Sequence, residues 1–158
     1  MDKGSRQTVK AWLRGTLFSN PFGFTLNIKK RCNGIWIDLI AAQNNVRYFI
    51  NRLNNNLLKH KYSRGGARLK GIAAFERGSF RERLHWHSII DVPEEFTPKD
   101  VKQIAASCWS KTDLSYGKPH IVKPTDDGWL SYITKLNSCD DEIDFDNLYL
   151  GGSDEPRT

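Results

Sequence analysis

The stretch LKGIAAFERGSFRERLHWHSIIDV, residues 69–92, contains two apolar runs separated by a charged turn with a glycine in it. Runs of this length and composition, split by turn formers, read as an antiparallel hairpin: LKGIAAFE (69–76), a turn around RGSFR, and RLHWHSIIDV (83–92). Side chains alternate faces along a strand, so His85, His87 and Ile89 share one side while Leu84, Trp86, Ser88 and Ile90 share the other. If Glu76 stands opposite His85 or His87, the pairing sums to an odd number and puts the carboxylate on the histidines' face. Glu82 has the wrong parity on its own strand, and a bulge in the turn would reverse the preference for Glu76.

Outward from the hairpin, FGFTLNI (22–28) follows Asn20-Pro21 and reads as a first, central strand. Between them, residues 37–60 place Leu39, Ala42, Val46, Phe49, Ile50, Leu53 and Leu57 at helical spacing, with Arg64-Gly65-Gly66 as the stop. Pro93 closes the hairpin. Thr97-Pro98 then looks like an N-cap and first helical position, leading into DVKQIAASCW. GKPHIV (117–122) is a short strand, with Pro119 at its beginning or on an edge. DDGWLSYITKLN (126–137) forms a third helix, acidic in its first turn and ending near Lys135, as the helix dipole favours. This order predicts an α+β fold of the ferredoxin-like split βαβ type, a central antiparallel sheet with helices packed on it.

The 158 residues suit one domain. We expect it to span 1–139, with residues 1–20 (Lys3, Arg6, Lys10, Arg14) as a basic arm or leading helix and 140–158 as an acidic, partly disordered tail. Ile143, Phe145, Leu148, Tyr149 and Leu150 could dock some of that tail. The tail carries seven acids and one base, so the remainder holds 23 basic and 11 acidic residues, about +12, a charge suited to phosphate backbones. A solvated basic face is the plainer account of the same charge. No run approaches the ~18 apolar residues of a membrane span, and the first residues lack a secretory apolar core. Cys32, Cys108 and Cys139 are too few and too widely spaced for a disulfide framework. These features predict a protein of the cytoplasm of a bacterial or other host cell, with no membrane partner.

Two imidazoles on a rigid strand can hold a divalent ion given a third ligand, and Glu76 is the candidate. Two histidines and one carboxylate leave positions open, which suits Mg2+ or Mn2+ with phosphate oxygens and water. The bland account of HxH is a pair of half-buried histidines hydrogen-bonded in a sheet. Tyr132 and Lys135, at i and i+3, share a helix face that is otherwise an ordinary amphipathic boundary. Beside a metal site, the phenol becomes a candidate nucleophile toward phosphorus. Arg77, Arg81 and Arg83 around the hairpin turn are candidate DNA-phosphate contacts. Trp12, Trp36 and Phe80 are candidate stacking platforms for an exposed strand, whereas Trp109 on an amphipathic helix reads as core.

The residues together resemble the HUH endonucleases that initiate rolling-circle replication of phages, plasmids and small single-stranded DNA viruses. The family's apolar first motif is matched by Phe24-Thr25-Leu26-Asn27, its histidine–hydrophobic–histidine motif by His85-Trp86-His87, and its YxxK motif by Tyr132-Ile133-Thr134-Lys135. Each motif is loose, but their order and spacing agree over most of the domain.

The resemblance implies a single-tyrosine, metal-dependent nickase. Tyr132 would form a 5′-phosphotyrosine bond and free a 3′-hydroxyl for priming. His85, His87 and Glu76 would hold Mg2+ or Mn2+, Lys135 would assist at the phosphate or the ion, and the first motif would serve as structural core without ligands. The implied partner is single-stranded DNA at a replication origin; with no GxxxxGK[ST] loop in this sequence, unwinding would come from host helicase and replication proteins or from a portion outside it. A single-tyrosine transposase and a non-catalytic nucleic-acid-binding module of the same fold are the alternatives.

Overall fold

A computed structural model describes residues 18–76, 83–124, 142–144 and 147–148. The helix expected over 126–137, most of the basic arm and most of the acidic tail lie outside the described residues.

Strand β1 (Pro21–Asn27) is central, as its aromatic and apolar run requires. It is followed by a two-residue-strand hairpin, β2 (Arg31–Cys32) and β3 (Ile35–Trp36). Asn33 and Gly34, with φ of +50° and +78°, form the left-handed turn that closes it. Helix α1 (Leu39–Leu58) starts where the Asp38 carboxylate accepts the Ala41 N–H at 2.8 Å. It stops earlier than the Arg64-Gly65-Gly66 signal suggested. Lys59 takes a φ of +50°, and only the single turn α2 (His60–Ser63) follows.

Strands β4 (Gly71–Glu76) and β5 (His85–Asp91) are the expected hairpin pair. Helix α3 (Pro98–Ser110) begins with a complete capping box: Thr97 Oγ1 accepts the Asp100 N–H, and the Asp100 carboxylate accepts the Thr97 N–H. That bond from the Thr97 backbone holds the Asp100 carboxyl below the ordinary range. The strand expected over 117–122 is confined to β6 (His120–Val122). The turn into it uses Gly117 at a φ of +66°.

The sheet order β6-β1-β5-β4, antiparallel throughout, is that of a split βαβ fold. A fifth strand, β7 (Glu142–Ile143), pairs with β4 at the outer edge. The beginning of the tail is therefore ordered structure at these positions. No helix of the described residues is long and apolar enough to cross a membrane.

Alternation sorts the sheet into two faces. Phe22, Phe24, Leu26, Ala73, Phe75, Trp86, Ile90 and Ile121 point toward α1 and α3 and join Val46, Phe49, Leu53, Val101, Ala105 and Trp109 in one core. Phe49 is its hub, edge-on to Phe24, Trp86 and Trp109 with ring centroids 5.7–6.4 Å apart. Trp109 is fully buried, as expected for core. Cys108 is buried too, and desolvation pushes its thiol pKa up.

Two buried asparagines on α1 pin the loops. Asn45 accepts the Leu114 N–H and donates to Thr112 Oγ1, and Asn54 accepts the Leu69 N–H. On the core side the tail adds Asp144, whose carboxylate receives the Trp86 Nε1–H at 2.9 Å and the Asn147 side-chain amide at 2.8 Å. Leu148 packs against the core.

Candidate active site

The second face of the sheet carries the candidate site residues. The register puts Glu76 opposite His85, Ala74 opposite His87, and Asn27 and Thr25 opposite the same two histidines from the other side. No bulge intervenes within the paired residues, so the parity argument for Glu76 holds. The imidazoles of His85 and His87 are parallel, with planes 5° apart and centroids 6.2 Å apart.

Glu76 reaches diagonally to His87, placing Oε2 2.5 Å from Nε2. The other nitrogen, Nδ1, lies 3.2 Å from Thr25 Oγ1. His87 is thus gripped at both ends and its side chain is only 14% exposed, while Glu76 is 48% exposed. The plain account of HxH, half-buried histidines bonded within a sheet, describes His87 correctly as far as it goes.

A neutral imidazole nitrogen and an ionised carboxylate oxygen each present a lone pair. At 2.5 Å a proton must lie between them, because a metal ion bonded to both atoms would hold them farther apart. When Nδ1–H donates to Thr25, Nε2 turns its lone pair toward Glu76, the orientation that an outer-shell hydrogen bond gives a metal-binding histidine. In kind, two imidazoles and a carboxylate fit a divalent ion. The direct Glu76–His87 contact and an ion between the two are alternatives, and among the described residues no three or more His, Cys, Asp or Glu side chains are grouped to hold one.

Of the arginines, Arg83 is described and Arg77 and Arg81 lie outside the described residues, as do Tyr132 and Lys135. Arg83 is half-buried, and its guanidinium sits 3.4 Å from the centre of the Tyr116 ring. That is tighter than a solvated turn charge.

Sequence reasoning missed Thr25, His120 and Tyr116. The FTLN run was expected to contribute core alone, yet only Phe24 and Leu26 do so; Thr25 and Asn27 face the histidines. Alternation within FTLN was the available signal, and it needed only the knowledge that β1 pairs with β5. His120 stands opposite Thr25 on β6, placing a third histidine on this face. Tyr116 is in a loop, where no periodicity marks it. Its N–H donates to the carbonyl of Asn27, one strand away from His85. Comparison with family models, curated proteins and solved structures found no match to this chain.

Proposed function

We propose that the chain is a metal-dependent single-stranded DNA nicking and joining enzyme that initiates rolling-circle replication. The observation that carries this reading is the placement of Glu76, His85 and His87 on one sheet face, with His87 Nδ1 beside Thr25 Oγ1. The basic body and the exposed aromatic side chains Trp36 and Tyr116 support DNA as the substrate.

In this reading the Tyr132 hydroxyl loses its proton and attacks the scissile phosphorus. A phosphorus–tyrosine oxygen bond forms as the bond to the 3′ oxygen breaks, and the departing oxygen takes up a proton to become a 3′-hydroxyl. The phosphodiester is exchanged rather than hydrolysed, so a free 3′-hydroxyl can reverse the step and rejoin DNA. Glu76, His85 and His87 would hold Mg2+ or Mn2+, which when bound supplies charge stabilisation at the phosphate oxygens. Lys135 adds a second positive charge at the same group. The sequence from 125 to 141, which carries Tyr132 near its middle, links β6 to β7, the two outermost strands of the sheet. These edges are four strand spacings, about 19 Å, apart. The reading requires the phenol to reach the face that bears the histidines.

With Mn2+ or Mg2+ and single-stranded DNA, the protein should form an adduct that survives boiling in detergent, and Tyr132→Phe should abolish it. Cleavage that leaves no adduct contradicts the tyrosine mechanism. The direct Glu76–His87 contact favours a second reading, a binding module in which that pair is simply an ion pair; such a protein binds DNA and forms no adduct with any ion.

The role of Thr25 has its own test. Thr25→Val keeps the shape and removes the hydroxyl, and should raise the Mn2+ concentration needed for half-maximal cleavage by about 10–100-fold, the usual cost of losing an outer-shell partner. An unchanged Mn2+ titration contradicts the orienting role.

A further inference from the structure

Beyond the histidines the same end of the sheet carries two arginine–aromatic pairs that the nicking chemistry does not use. Arg83 lies over Tyr116 at 3.4 Å, and Arg31 lies over Trp36 at 4.0 Å. Both rings are at the surface, with Tyr116 48% and Trp36 41% exposed, although tyrosine and tryptophan carry large apolar areas that folding ordinarily buries.

The backbone ties these pairs to the site. Asn27 is opposite His85 on one side and bonded to the Tyr116 N–H on the other, so the tyrosine is about two strand spacings, ~10 Å, from the histidine strand. The chain then passes through Lys29, whose N–H bonds the Leu114 carbonyl and whose Nζ bonds the Asp113 carbonyl, into the β2–β3 hairpin. The hairpin and the Tyr116 loop are therefore anchored to each other at the end of β1. Arg83 Nε is buried and makes no hydrogen bond among the described residues, where the tyrosine ring is the observed partner of the guanidinium.

We propose that Tyr116–Arg83 and Trp36–Arg31 are two stacking stations for unpaired bases, forming a single-stranded DNA path that leads away from the histidine face across the end of β1. Aromatic rings and arginine guanidinium planes both accept the face of an unpaired base, and the guanidinium charge attracts the adjoining phosphates. A base inside a duplex has its faces covered by its neighbours and gains nothing from these rings, so the path selects single strands. The inference rests on the nucleic-acid part of the proposed function and not on the tyrosine chemistry.

The test is fluorescence anisotropy with a labelled short oligothymidine and with a labelled duplex, in EDTA so that no cleavage occurs. Trp36→Ala and Tyr116→Ala should each weaken oligothymidine binding by about 5- to 100-fold, with duplex binding changed less than about twofold. Trp36→Phe and Tyr116→Phe, which keep a stacking ring, should recover most of the affinity, and thermal melts establish that all four variants are folded. Alanine variants that bind oligothymidine like the parent overturn the proposal, as does an equal loss on both DNAs. A parent protein that does not bind oligothymidine overturns this path and the DNA reading together. Binding that depends on Trp36 and Tyr116 in a protein that forms no Tyr132 adduct supports the path and removes only the nickase.

Discussion

On the proposed function, replacing both His85 and His87 with alanine should abolish cleavage of single-stranded DNA and leave the protein folded. The two side chains stand on the face of the sheet away from α1 and α3, outside the cluster that makes the core. Among the described contacts, folding loses the bonds of His87 to Thr25 and Glu76 and the packing of two parallel rings, none of them in the core. Each such bond is worth about 0.5–1.5 kcal/mol net. What catalysis loses is the charge stabilisation that the histidines would hold in place. That is worth several kcal/mol, and each 1.36 kcal/mol is about a factor of ten in rate, so single-turnover cleavage should fall at least ~10³-fold. The matching control is a thermal melt in which the double variant still unfolds cooperatively. Undiminished cleavage by this variant means that the histidine face is not the active site.

Trp86, between the same two histidines, should behave in the opposite way. It is fully buried, edge-on to Phe49, and its Nε1–H is held by Asp144. Trp86→Ala removes the largest side chain of the sheet's inner face and takes one donor from a buried carboxylate. We expect a loss of about 3–5 kcal/mol in denaturant unfolding. Trp86→Phe separates the two contributions, since it keeps most of the packing and removes the donor, for about 1–3 kcal/mol. A cost below about 1 kcal/mol for Trp86→Ala would show that the tryptophan is not packed as described. One three-residue motif thus supplies both the candidate site and part of the core, and the two roles separate because strand side chains alternate.

That alternation is also why so much was legible in the sequence. The periodicity of residues 37–57, the capping signal at Thr97-Pro98 and the strand–turn–strand pattern of 69–92 are local features, and each produced the expected element. The third ligand candidate, Glu76, followed from counting parity in a hairpin, an inference that survives as long as no bulge intrudes.

What escaped depended on partners far away in sequence. Asp144 reads as one more solvated acid in an acidic tail, yet it turns inward to meet Trp86, and nothing in the tail's composition marks that bond across 58 positions. Charge content therefore gave no hint that Glu142–Ile143 extends the sheet. Tyr116 gains its place from a backbone bond to Asn27 and a ring contact with Arg83, both long-range. The β2–β3 hairpin is different, because its Asn33-Gly34 turn is a strong local signal. It was overlooked because strands of two residues leave no alternation to read. The helix termination at Lys59 was likewise hidden, since a lysine at positive φ has no sequence signature comparable to the glycines that follow.

The central claim is that the histidine face presents a DNA phosphate to Tyr132, and the covalent product tests it most directly. The protein is incubated with a mixed single-stranded DNA pool and Mn2+, the attached DNA is trimmed with nuclease, and the protein is digested for mass spectrometry. The account predicts a residual nucleotide on the peptide containing Tyr132, joined through a 5′ phosphate, and none when His85 and His87 are alanine. A nucleotide found on another residue, or on Tyr132 with equal yield in the histidine variant, would contradict it.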